Sequence, residues 1–256
     1  MLKTLGIIPA RIGSTRLPRK PLADIDGKSL IQRTYESCKK SNLLDTIVVA
    51  TDSIEIIKHV NAFGGTAVMT NDHHQSGTLR AIEVAERNIT NGFDIFVNIQ
   101  GDNPILEQQH IDPLIIKLMN NPHKQLITTP VFQVNNFVDI FDPNCVKVVM
   151  NKDNDALYFS RSPMPFVRDT NKDLWFDKTI FWKHLGIYGF TTPAIVSLKN
   201  MKTSKLELSE SLEQLTWLYY GMTISCIEVT KDVIAVDVKS DIDKVIAELN
   251  KNAGKS

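Results

Sequence analysis

The chain has 256 residues, 43% of them hydrophobic, enough to bury one large core or a core with a small lobe. Its 29 basic and 29 acidic residues cancel, which excludes a general attraction to nucleic acid or to an anionic membrane and makes any basic segment a local device. Three well-separated cysteines without metal-ligand spacing (Cys38, Cys145, Cys226) read as buried small hydrophobes in a reducing compartment; with no apolar run long enough for a signal peptide or membrane insertion, a cytoplasmic protein is expected.

Short β-branched runs alternate with amphipathic segments of helical length. LGIIPA, TIVVAT, GTAVMT and DIFVNIQGD read as strands, and SLIQRTYESCKK, SIEIIKHVNAFG and LRAIEVAERNI as the helices between them. That alternation predicts an α/β fold with a mainly parallel, doubly wound sheet. Ligands of such sheets sit outside the carboxyl ends of the strands, so the polar loops PARIGSTR, ATDS and IQGDNP should converge. In the second half, VKVVMNKDNDALYFSRS reads as two strands joined by KDND, an antiparallel excursion, and KHLGIYGF as another strand. PMPFVRDTNKDLWFDKTIFW has no clear period and fits a lid, a dimer arm or a long connection. LELSESLEQLTWLYYG, with Leu208, Leu212, Leu215 and Tyr219 on one face, predicts one amphipathic helix ended by Gly221. DVIAVDV predicts a last strand, followed by a helix capped by Ser240. No repeat or low-complexity linker interrupts the chain, so one domain over 1–256 is expected.

The opening loop, IIPARIGSTRLPRKPL, places Arg11, Arg16, Arg19 and Lys20 directly after an apolar strand. Gly13 permits a tight turn with accessible N–H groups, and Pro18 and Pro21 stiffen the backbone around Lys20. A solvated basic turn has no need of that stiffening, whereas a polyphosphate cradle has. Neither G-x-x-x-x-G-K-[ST] nor G-x-G-x-x-G is present, so the phosphate site is of another lineage. Asp102 follows the apolar IFVNI at a strand end, where a lone aspartate is more often a turn or a helix cap than a ligand.

PARIGSTRLPRKPL, ATD, HHQSGT with Arg80, VNIQGDNP, DPNCVKVV, ALYFSRSPMPF, KHLGIYGF, LEQL and AVD, in this order from Leu5 to about Ile246, resemble the 3-deoxy-manno-octulosonate cytidylyltransferases, the CMP-Kdo synthetases. The resemblance implies a nucleotide-diphospho-sugar transferase-like fold. It also implies a homodimer that joins CTP to the anomeric hydroxyl of a 2-keto-3-deoxy sugar acid, releases pyrophosphate, needs Mg²⁺ and serves lipopolysaccharide biosynthesis. By the same resemblance, 1–150 is mainly the nucleotide-binding half and 151–256 mainly the acceptor and dimer half. Arg11, Arg16 and Lys20 would hold the β- and γ-phosphates, and Asp102 and Asp237 would share the Mg²⁺. Pro9, Ala10, Ser76, Gly77 and Arg80 would surround cytosine and ribose, with Gln100 beside the nucleotide. Ser76 can also cap the following helix, and His73 and His74 read as surface loop residues. Arg161, His184, Tyr188, Glu213 and Gln214 would read the sugar acid. His184 is equally well explained as a strand histidine bonded within the fold, and Tyr158 and Tyr188 as core aromatics.

The chain departs from the family pattern at Arg19 (usually glycine), Leu79 (usually acidic), Asn103 (usually Glu or Gln), Thr216 (usually arginine) and Val238, where VDVKSDI replaces VDTPEDL. These positions leave two alternatives in play: a cytidylyltransferase for a related acid, such as 8-amino-Kdo or a nonulosonate, and a non-catalytic nucleotide-binding paralogue.

Overall fold

The computed structural model describes residues 2–14, 17–74 and 76–253. Two compact units make up the chain: Met1–Ile115 with Val233–Ser256, and Ile116–Asp232.

Unit 1 opens with β1 (Thr4–Ala10), the small hairpin β2 (Asp24–Ile25) and β3 (Lys28–Ser29), α1 (Leu30–Cys38) and β4 (Thr46–Thr51). It continues through α2 (Ile54–Ala62), β5 (Ala67–Met69), α3 (Gly77–Ile89) and β6 (Ile95–Asn98). Its strands lie in the order β5-β4-β1-β6, every pair parallel. Every residue of β1 is buried, as expected for a parallel strand covered on both faces. The three crossover helices each start at a serine, Ser29, Ser53 and Ser76, whose hydroxyl accepts the N–H of Gln32, Ile56 and Leu79 respectively.

The chain continues through α4 (Asp112–Met119). Unit 2 contains β7 (Leu126–Gln133), α5 (Phe137–Phe141), β8 (Lys147–Met150), β9 (Ala156–Ser160), β10 (Trp182–His184) and β11 (Tyr188–Thr191). It ends with α6 (Thr192–Leu198), α7 (Lys205–Glu210), α8 (Gln214–Tyr219) and β12 (Thr223–Val229). β7 is its central strand, with β10 and β11 antiparallel on one side and β12 parallel on the other. β8 joins β10 and β9, also antiparallel. A parallel first-half sheet and an antiparallel excursion in the second half agree with the predicted fold class.

Several local expectations are corrected. KHLGIYGF is two strands, because Gly186 takes φ +72° between them. The single helix expected over 206–221 is two, broken where Ser211 takes φ +51°. Its apolar face does not hold either: Leu212 and Leu215 are buried, while Leu208 and Tyr219 are exposed. The stretch from Pro163 to Trp182 is anchored by Trp175, buried in a short 3-10 turn and stacked on Phe181. DVIAVDV forms no strand; it is linked to the β6 loop by Val236 N–H donating to Asp102 C=O at 2.9 Å. α9 (Lys239–Ala253) starts one residue before Ser240, and the Asp241 carboxylate, not Ser240, accepts the N–H groups of Asp237 and Val238. Val236 and Val245 close over Ile25 and Leu30 in one apolar cluster of unit 1.

Candidate active site

A cavity of about 250 Å³ opens in unit 1 where two of the three predicted loops, PARIGSTR and IQGDNP, meet; ATDS does not line it, and Asp52 instead pairs with the cavity residue Arg80. Pro9 and Ala10 end β1, and Arg11, Ser14, Lys20 and Pro21 follow in the basic loop. His74, Ser76, Gly77 and Arg80 come from the start of α3, Gln100, Gly101 and Asp102 from the turn after β6, and Asp237 from the segment before α9. Of the residues expected around nucleotide and metal, the cavity therefore collects Pro9, Ala10, Arg11, Lys20, Ser76, Gly77, Arg80, Gln100, Asp102 and Asp237. Arg16 lies outside the described residues.

At one side of the cavity the Lys20 ammonium donates to Asp102 Oδ2 at 2.8 Å and to Asp237 Oδ1 at 3.1 Å. Burial opposes the charge on Lys20, but the two carboxylates outweigh it and hold the ammonium's pKa above its ordinary value. The Lys20 backbone is pinned by its N–H to Leu17 C=O and by Ala23 N–H to its own C=O, both 3.1 Å. Arg19, in the left-handed region at φ 56°, pairs with Glu55 on the surface. That backbone conformation explains why glycine suits position 19.

Arg80 is 2% exposed, and its guanidinium is already engaged by Asp52 at 2.6 Å, by Thr70 Oγ1 and by the Asn71 carbonyl at 3.2 Å. It therefore braces the 70–71 turn and the ATD loop as well as lining the cavity. Two glycines let the walls approach. A Cβ on Gly77 would lie 3.2 Å from the Pro9 ring, and one on Gly101 would lie 2.7 Å from the Pro9 carbonyl oxygen, closer than real contacts allow.

Sequence reasoning did not assign Ser14, Pro21, Leu30, His74 or Gly101 to the site. His74 is corrected from a surface residue to a cavity residue; its Nε2 pairs with Glu83, and the i, i+9 spacing across the α3 start carries no recognisable motif. Burial opposes ionisation of Glu83, but the bonds from His74 and the Asn71 N–H prevail and keep its carboxyl below the usual range. His73 is exposed, as expected.

The expected acceptor residues all fall in unit 2. His184 and Tyr188 lie in the core, their rings 5.2 Å apart, with His184 Nε2 at 2.9 Å from Thr129 Oγ1. Burial pushes the His184 pKa down to about 3, so the ring is neutral at pH 7. Burial, aided by the nearby Glu213 carboxylate, raises the Tyr188 phenol well above its ordinary value. Gln214 is buried, and its Nε2 has no hydrogen-bond partner among the described residues. The Arg161 fork is engaged by carbonyls, Nε with Glu210 at 2.6 Å and Nη1 with Pro143 at 2.9 Å, so here it ties the end of α7 to the Pro143 loop. Thr216, where an arginine was expected, is buried and binds Ser204 and Glu207 at the α7–α8 junction.

Comparison with known proteins bears on this geometry. The cytidylyltransferase family profile matches residues 5–224. A 3-deoxy-manno-octulosonate cytidylyltransferase of Parabacteroides distasonis is 42% identical over 251 residues, covering 97% of this chain and 99% of the relative. One from Geobacter metallireducens is 40% identical over 255 residues, covering 98% and 99%. Among solved structures, a CMP:2-keto-3-deoxy-manno-octonic acid synthetase complexed with CTP superposes with a TM-score of 0.88 at 36% identity, covering 98% of this chain and 99% of that one. With the family profile spanning residues 5–224 and near-complete alignment to these relatives at 40% identity or more, the chain belongs to the 3-deoxy-manno-octulosonate cytidylyltransferase family.

Proposed function

We propose that this protein transfers the cytidylyl group of CTP to the anomeric hydroxyl of 3-deoxy-manno-octulosonate, releasing pyrophosphate and supplying CMP-Kdo for lipopolysaccharide assembly. The observation that carries the reading is the meeting of Lys20, Asp102 and Asp237 at the wall of a cavity that also collects Arg11, Ser76, Gly77, Arg80 and Gln100. Nucleotidyl transfer requires positioning and charge neutralisation, and no covalent intermediate. Pro9, Ala10 and Gly77 allow close backbone approach to the base and ribose, and Ser76 and Gln100 offer hydrogen bonds there. Arg11 and Lys20 bring positive charge to the phosphates and to the leaving pyrophosphate.

Asp102 and Asp237 fit a shared Mg²⁺: both already reach one cationic group within 3.1 Å. Among the described residues no third His, Cys, Asp or Glu joins them, which leaves room for the phosphate oxygens and waters that Mg²⁺ prefers. When bound, such an ion supplies charge neutralisation at the α-phosphate and lowers the pKa of the attacking hydroxyl. Arg161, His184, Tyr188, Glu213 and Gln214 are assigned to the sugar acid; the buried, unpartnered Gln214 Nε2 and the Glu213 carboxylate beside Tyr188 support that assignment. A homodimer built on the Pro163–Trp182 stretch is supported by its exposed Phe166, Leu174 and Ile180. Three free thiols support a cytoplasmic setting, and among the described residues no helix is long and apolar enough to cross a membrane.

The test is pyrophosphate release from CTP and Mg²⁺ with a panel of 2-keto-3-deoxy sugar acids. Release with 3-deoxy-manno-octulosonate at the highest kcat/KM is expected. Preference for an 8-amino acid or a nonulosonate would move the assignment to that acceptor, and CTP binding without release on any acid would overturn catalysis.

A further inference from the structure

The Lys20 ammonium stands between the two carboxylates assigned to a divalent cation, and the same lysine is assigned to the triphosphate. The two carboxylates take two of the ammonium's three N–H donors, so they compete with a triphosphate for most of its hydrogen bonding. Lysine suits an exchange better than arginine does: its charge is compact and its four-carbon stem flexible, whereas a guanidinium fork fixes its partners. The backbone beneath it is held by the Leu17 and Ala23 bonds and bounded by Pro18 and Pro21, so the side chain can swing while its root stays in place. The buried cation of the cavity, Arg80, is committed to Asp52, Thr70 and Asn71 and offers no such mobility.

We propose that Lys20 is an exchangeable counter-ion: it neutralises Asp102 and Asp237 in the free protein and passes to the triphosphate when a divalent cation takes the carboxylates. The proposal rests on the shared-cation reading above. Without nucleotide, a cation must displace an ammonium that has no equivalent anion to turn to. With triphosphate in the cavity the displaced charge finds phosphate oxygens, so each ligand favours the other. By linkage, the factor by which CTP strengthens cation binding equals the factor by which the cation strengthens CTP binding. The protein therefore takes up its cation together with its nucleotide, and discriminates against a bare ion.

Manganese provides the readout, because free Mn²⁺ is counted directly by its paramagnetic resonance. In nucleotide-free buffer the native protein should bind Mn²⁺ weakly, and Lys20→Met, which keeps the stem and removes the charge, should bind it at least ~10-fold more tightly, the scale of one lost charge-assisted contact. The same substitution should weaken CTP binding in metal-free buffer, so one change moves two affinities in opposite directions. Lys20→Gln gives an independent neutral variant if the methionine disturbs the loop. Asp102→Asn and Asp237→Asn separate the failures. If they weaken Mn²⁺ binding while neither neutral Lys20 variant strengthens it, the exchange is overturned and the shared-cation reading stands. If they leave Mn²⁺ binding unchanged, the cation site lies elsewhere and both fall.

Discussion

His184 shows how one side chain can carry a pH dependence for the whole fold. It is buried, its Nε2 faces the Thr129 hydroxyl, and Phe159 and Tyr188 cover its ring, so protonation has no compensating anion in the contacts around it. Its folded pKa of about 3 lies below the unfolded value near 6.5, so between these values the unfolded chain binds the extra proton. The stabilisation is complete above pH 6.5 and is lost as pH falls toward 3, by about 1.4 kcal/mol per pH unit. Denaturant unfolding of the native protein and of His184→Gln at pH 7.5, 6.0 and 5.0 checks this: the variant should lose less stability on acidification. An equal loss in both would mean that the ring is protonated in the fold. Neighbouring motif residues were readable because their chemistry is contiguous in the chain: PARIGSTR and SGT announce turns with small or cationic side chains. His74 was not, since its partner Glu83 sits on α3 and nothing in a histidine pair on a loop says which ring turns inward.

Elements were legible where local pattern and tertiary role agree. The strands of unit 1 and their helices follow from apolar runs, and Ser76 caps α3 as expected; Ser29 and Ser53 cap α1 and α2 in the same way. β7 escaped notice because Pro130 and the pair Thr128–Thr129 interrupt its apolar run, although both threonines are fully buried and Thr129 Oγ1 donates to Ile187 C=O. The break between α7 and α8 escaped for the opposite reason: no glycine or proline marks it, yet Ser211 adopts a left-handed conformation and interrupts an otherwise regular apolar spacing. That strain is removable. Ser211→Gly should raise the stability of unit 2 by up to ~1 kcal/mol, because its side chain is exposed and its carbonyl, the part that faces Arg161, is kept. Ser211→Val, β-branched at positive φ, should lower it. Thermal melting of both variants gives the comparison, and a stabilising valine would refute the strain.

At the scale of the molecule, unit 1 is made of two separated pieces of chain. The second piece supplies Asp237, the Val236 link to Asp102 and the valines that cover Ile25 and Leu30. A chain ending at Asp232 should therefore lose CTP binding and hydrogen-exchange protection in β1, β4 and β6, while the β7-centred sheet of unit 2 keeps its slow amides. Protection of unit 1 unchanged by the truncation would show that the second piece is dispensable to it. The arrangement also imposes an order on biosynthesis. A ribosome makes the basic loop and Asp102 early, then must complete Ile116–Asp232 before Asp237 exists; at about 5–20 residues per second the delay is roughly ten seconds. Throughout that interval the nascent chain carries Arg11, Lys20 and Asp102 without Asp237, so Lys20 has only one of its two carboxylate partners. The cluster of Lys20, Asp102 and Asp237 is therefore absent from the emerging chain until Asp237 has been added, and the cavity wall it forms is completed late in synthesis.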